Sequence, residues 1–295
     1  MIKRVSRKKL DVNKYTECLN KSVNYRIYAE VFYLDALVDN NWDCYVLNDY
    51  EAIMPLPFVK KFGFKFIVQP IYCQQLGVFH QENFSKETFL LFEKKLHRNL
   101  VRAYAFNEEN TEMFEPKGQK KVNYILDLNQ DYENLFSIYS RNRRNEIRKV
   151  GKFNYKIENV TQLNRFFELN SSYEYLITNN LINYSQEKIQ SLFNQKIINI
   201  YEIFDQEENL LGCQLIMISK NRVYNFAFAR NKNSKSNFGS AYIIDYIIKT
   251  FSNSELAFDF EGSMVPSIAK FMQGFGAIEK HYTNYSNLDF LTKKN

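Results

Sequence analysis

The chain has 295 residues, of which 45% are apolar, and its 26 Phe and 21 Tyr give ample material for two packed domains or one large one. Charged residues make up 24%, and the formal net charge of +6 is a mild excess that favours anionic partners. No apolar run approaches the roughly 18 residues of a membrane span, the four cysteines form no CxxC pair, and the three histidines show no HxxxH spacing. A transmembrane segment, a disulfide framework and a metal site are therefore not expected, and reduced thiols in a cytoplasmic protein are.

The first residues carry Lys3, Arg4, Arg7, Lys8 and Lys9 with no apolar stretch behind them, so no signal peptide is expected. They read as a solvated leading tail, with peripheral contact to an anionic membrane surface as the alternative. Residues 24–40 are in part helical. Strands are predicted at 43–47, 51–57 and 64–68, with a turn at Asn48-Asp49; Pro55 and Pro57 end the second strand or put it at an edge. Ser85 caps a helix to about Leu100, and 101–106 reads as a strand.

Residues 107–121 are polar, hold Pro116 and Gly118, and read as a loop and domain seam. That gives one domain over 1–121, which segments after 122 can complete, and a second over 122–295. A strand follows at 122–128, a helix capped by Asp131, and a basic helix capped by Ser140 to about Val150. Helices are predicted at 161–180, 185–195, 239–252 and 266–273. Strands are predicted at 198–204, 210–218, 222–229, 255–260 and 278–290. Both halves thus run from meandering strands to a helix and another strand.

The most informative segment runs from Phe258-Asp259-Phe260-Glu261-Gly262-Ser263 to Phe275-Gly276-Ala277. Asp259 and Glu261 are two apart and would share one face of a strand. Pro266 suits the first position of the following helix and Gly274 its stop. A carboxylate at such a strand end can take a proton from an attacking amine, or else caps a turn or pairs with an arginine. In the basic helix, Arg141, Arg144 and Arg148 fall on one face, with Lys149 and Lys152 extending it. Planar guanidinium groups suit phosphates; the alternative is a solvated helix bridged to Glu146. Gln74 and Gln75 could line a polar cleft, although in a strand only one would face it. The loop between Arg230 and Ser240 could cradle a pyrophosphate, but its only glycine is Gly239. No GxSxG, Walker-type loop, HExxH or Cys–His pattern is present.

Together, Tyr124-Ile125-Leu126-Asp127-Leu128, the Arg141–Lys149 run, and Phe258–Gly262 with Phe271 and Phe275-Gly276-Ala277 resemble the Fem-type N-acyltransferases, tandem relatives of the GNAT fold. The resemblance runs from about residue 43 and is clearest over 122–280. It implies an α+β fold of two GNAT-like mixed-sheet domains side by side. It implies a bacterial enzyme that moves an acyl or aminoacyl group from acyl-CoA or aminoacyl-tRNA, as donor substrate rather than bound cofactor, to an amine. The better-known Fem enzymes build peptide bridges on cell-wall precursors, so the acceptor is expected among cell-envelope precursors. Two departures stand out: the chain lacks the coiled-coil insertion some Fem enzymes carry, and it lacks the glycine-rich pyrophosphate loop of GNAT acetyltransferases.

On this reading Glu261, then Asp259, binds or deprotonates the amine. Arg141, Arg144, Arg148 and Lys149 meet donor or acceptor phosphates, and Tyr224 and Phe271 form aromatic walls. The alternative is a non-catalytic module that grips tRNA or an anionic lipid carrier through the basic helix.

Overall fold

The computed structural model describes residues 1–170, 181–233 and 239–288. The chain divides into two compact units, one of Met1–Lys121 together with the chain from His281, the other of Val122–Lys280.

In the first unit β1 (Ile2–Ser6), β2 (Trp42–Leu47), β3 (Ala52–Lys61) and β4 (Phe64–Ile67) form an antiparallel meander. The helix α3 (Lys86–His97) then leads to β6 (Leu100–Val101), which pairs parallel to β4. The Ser85 hydroxyl accepts from the Thr88 N–H and caps α3. The short strand β5 (Phe79–His80) pairs with β3, and β7 (Tyr104–Phe106) pairs through Thr283–Tyr285 with β14 (Ile278–Tyr285). The core is aromatic: Tyr15, Tyr28, Tyr33, Trp42, Phe89 and Phe92 are fully buried.

Several expectations are corrected here. The basic N-terminus is not a solvated tail. It forms the edge strand β1, and Arg4 and Arg7 pair with Asp43 and Asp35, each at 2.8 Å. A helix, α1 (Val12–Lys21), follows behind the Asp11 cap, and a second, α2 (Val31–Val38), precedes β2. The strand over 51–57 does not stop at its prolines, because the Pro55 and Pro57 carbonyls point away from β2, to Tyr104 Oη and the Val68 N–H. On that side β5 covers Ala52 and Ile53, and the pairing with β4 begins at Phe58, so no N–H is needed between them. The region 101–106 is two short strands, not one. Residues 107–121 are not all loop: Asn107 caps the helix α4 (Glu108–Phe114).

In the second unit β9 (Lys156–Val160), β10 (Ile198–Phe204), β11 (Leu210–Ile218) and β12 (Arg222–Arg230) are again an antiparallel meander. A helix over Gly239–Phe251 precedes β13 (Ala257–Asp259), which runs parallel to β12 and antiparallel to β8 (Gln119–Asp127). Both units therefore share one plan, four antiparallel strands followed by a helix and a fifth, parallel strand. Ile243, Ile244, Ile247 and Ile248 of that helix bury against the sheet with Leu126, Ile203, Ile216 and Phe258. The helices α5 (Tyr132–Ile138), α6 (Arg141–Gly151), α7 (Asn164–Asn170) and α8 (Ile182–Asn194) complete the unit, with α9 (Gly239–Phe251) and α10 (Pro266–Gln273). The expected continuation of α7 to 180 lies outside the described residues.

All four cysteines are buried, and none is joined to another in a disulfide. Burial pushes the Cys18 and Cys213 thiols up to about 12, which makes them poor nucleophiles. Among the described residues no helix is long and apolar enough to cross a membrane, and no group of acidic, His or Cys side chains is arranged to hold a metal.

Candidate functional site

The second unit gathers its polar chemistry where β13 ends and where α6 meets α10. Asp259 is the last residue of β13 and is buried. Its Oδ2 accepts from Arg222 Nη1 at 2.6 Å, and its Oδ1 accepts from Asn123 Nδ2 and from the Glu261 N–H, both at 2.9 Å. The carboxylate thus holds β12, β8 and its own turn together. The strand stops there, so the alternation expected to align Asp259 with Glu261 does not reach Glu261, whose φ is +55°. Gly262 follows at φ +40°, and a Cβ on it would lie 2.1 Å from the Val122 carbonyl oxygen. Only glycine lets this turn press against β8. The result is a half-buried Glu261 carried on a turn that Asp259 and Gly262 fix.

Beside this turn, Tyr124 Oη donates to Glu279 at 3.0 Å and accepts from Gln273 at 3.3 Å. Burial, and then the nearby Glu279 carboxylate, push the Tyr124 phenol above its usual range. Gln273 in turn lines a cavity of about 440 Å³ between α6 and α10, with Asn142, Arg143, Glu146, Lys270 and Phe271.

The two helices are stitched at their ends. Ser140 caps α6 by accepting from the Arg143 N–H, and its own N–H donates to the Gly274 carbonyl at 2.9 Å. Arg143 lies on the inner face of α6. Its guanidinium sits 4.2 Å from the Phe271 ring centroid and 4.4 Å from that of Phe275. It donates to the Phe271 carbonyl at 3.0 Å, which closes the last turn of α10, and it pairs with Glu146. Burial pulls its pKa down, with Glu146 opposing.

The other basic residues of the run face elsewhere. Arg141, Arg148 and Lys149 are exposed, and the Arg148 guanidinium lies 5.4 Å from the Phe136 ring. Arg144 donates to the carbonyls of Ser137 and Tyr139 and so caps the end of α5.

The sequence matches no protein-family model and no curated protein. Solved structures are similar over nearly the whole chain. FemX superposes with a TM-score of 0.68 at 11% identity, covering 99% of each chain. L-PGS from Bacillus licheniformis gives 0.54 at 14% identity, covering 94% of this chain and 92% of that one. A tandem GNAT protein from the clavulanic acid biosynthesis pathway gives 0.51 at 8% identity, covering 97% and 98%. The chain has the tandem GNAT fold of the Fem-type proteins.

Within this Fem-type fold the nominated residues fall into separate groups. Asp259 and Tyr224 are register partners on β13 and β12, and Tyr224 is fully buried. Phe271 joins the basic helix through Arg143 rather than through Arg141, Arg144 or Arg148. Gln74 and Gln75 belong to the first unit and lie outside any strand, so the one-in, one-out expectation does not apply. Gln75 is buried, donates to Gln74 at 2.8 Å and to Glu108 at 3.1 Å, and accepts from the Glu108 N–H. In the loop considered for pyrophosphate, residues 234–238 lie outside the described residues.

Arg143, Arg222, Asn123 and Tyr124 are the site residues that sequence reasoning missed. Helical spacing carried a signal for Arg143, since positions 143, 147 and 150 form the buried face of α6. Nothing in sequence spacing joins Arg222 or Asn123 to Asp259.

Proposed function

We propose that the protein is an N-acyltransferase that moves an acyl or aminoacyl group from acyl-CoA or aminoacyl-tRNA to an amine, with a cell-envelope precursor as acceptor. The observation that carries this reading is the end-to-end likeness to FemX, with 99% of both chains covered. The turn at Glu261 supports it chemically. In such a transfer the neutral amine attacks the donor carbonyl, the C–N bond forms, and the C–S or C–O bond breaks. The leaving thiolate or alkoxide departs and the amine gives up a proton. Glu261, half-buried on a rigid turn, receives that proton or orients the amine. Asp259 is the positioning residue, because its carboxylate holds the Glu261 N–H. Arg141, Arg148 and Lys149, exposed on α6, meet the phosphates of the donor or acceptor.

The test is a thermal-shift screen with coenzyme A, acyl-CoA, charged and uncharged tRNA, and nucleotide-linked cell-wall precursors, followed by a transfer assay with whatever stabilises the protein. Glu261→Gln is expected to keep the melting point and lower turnover by about 100-fold or more. Unchanged turnover removes Glu261 from the chemistry. Exposure of Arg141 and Arg148 also suits a module that only binds. Salt-sensitive tRNA binding without transfer would favour that reading over the enzyme.

A further inference from the structure

The turn joining β3 to β4 carries a residue that its backbone disfavours. Lys61 pairs with Phe64, so the loop is two residues long, and Phe62 and Gly63 have φ of +51° and +79°. That is a type I′ pattern, whose first central position favours Asn, Asp or Gly. A bulky side chain in the left-handed region is strained there. The ring of Phe62 offsets little of this strain by burial, because the residue is 83% exposed.

Its surroundings are of the same kind. Phe64 is 62% exposed and Val59 41%. The register puts Val59, Phe64 and Phe66 on one face of the hairpin, and Leu100, the β6 partner of Phe66, is also exposed. Lys60, Lys61 and Lys65 are interleaved with these rings, and no acidic residue occurs between Phe58 and Phe66. The Lys61 ammonium lies 5.3 Å from the Phe62 ring centroid and that of Lys65 4.1 Å from Phe58. Lys65 also pairs with Asp43, while Lys60 and Lys61 are exposed.

We propose that this hairpin tip docks the protein on an anionic lipid bilayer. Phe62 and Phe64 enter the boundary between headgroups and acyl chains, and the lysines meet the lipid phosphates. Two observations favour a bilayer over a protein partner. Phe62 lies on the two-residue loop itself and Phe64 directly after it, both largely exposed, and a fluid interface accepts such rings without a complementary pocket. The charged residues of the hairpin between Phe58 and Phe66 are all lysines, and Lys60 and Lys61 are exposed, matching a surface of one charge. The proposal is independent of the transferase reading.

The test is co-sedimentation with vesicles of phosphatidylcholine alone and of equimolar phosphatidylcholine and phosphatidylglycerol, each at low and high salt. The protein is expected to bind the anionic vesicles and to be released by salt. Phe62→Asn changes no charge and installs a residue the turn prefers, so its melting point should hold or rise. Its binding to anionic vesicles should fall about tenfold. Lys60→Gln with Lys61→Gln should weaken binding roughly fivefold per lysine. Failure of the unaltered protein to bind, or equal binding by Phe62→Asn, overturns the proposal. So does a dimer in light scattering that Phe62→Asn turns into a monomer with no vesicle binding, which would seat a second copy on the tip.

Discussion

Arg222 Nη1 lies 2.6 Å from Asp259 Oδ2 across the parallel β12–β13 pair, with both side chains buried. A charge pair so placed is costly to break on one side, because the remaining charge stays buried without its partner. Arg222→Met is expected to lower stability by about 3–5 kcal/mol. Adding Asp259→Asn should cost less than the two single effects summed, with a coupling of about 1 kcal/mol or more. Urea denaturation of the four proteins measures this. Strict additivity would show that the two side chains do not depend on each other, and would leave Asp259 its bonds to Asn123 and the Glu261 turn.

Arg143 makes a second, independent prediction. Its planar guanidinium stacks against Phe271 and Phe275 while donating to the carbonyl of Phe271. A lysine ammonium cannot do both. Arg143→Lys should therefore cost about 1–2 kcal/mol in urea midpoint terms. Arg141→Gln, on the exposed face two residues away, should stay within about 0.5 kcal/mol. If the two changes cost the same, the α6–α10 contact does not rest on Arg143.

Much of the second unit was legible in the sequence because its elements carry punctuation. Pro266 and Gly274 bracket α10 over Pro266–Gln273, and the apolar runs of β10, β11 and β12 end at polar turns. The helix α4 was not legible, because its buried face includes Glu108, Asn110 and Thr111 and so shows no apolar period. The edge strand β1 was hidden by its charge, since Arg4 reads as a tail residue until Asp43 of the next strand is placed beside it. The site divides in the same way. Asp259 and Glu261 stood out as a local pattern, but the partners that decide Asp259's role, Arg222 and Asn123, are 37 and 136 residues away. Local spacing carries no trace of such pairings.

The last prediction concerns pH. Asp245 of α9 is buried, accepts from Tyr132 Oη at 3.0 Å, and burial pushes its pKa from 3.8 up to about 6. A folded-state value above the unfolded one means that the fold favours the neutral acid. The associated stability is fully present below pH 3.8 and is lost as pH rises through about 6. Asp245→Asn keeps an acceptor for Tyr132 and removes the titration. Relative to the unaltered protein it should therefore gain stability between acidic and mildly alkaline pH, by about 2–3 kcal/mol. The measurement is the difference in urea unfolding free energy between the two proteins across that range. A difference independent of pH would mean that the carboxyl group ionises as readily in the fold as in the unfolded chain. The Tyr132 hydroxyl would then stabilise the carboxylate enough to offset its burial.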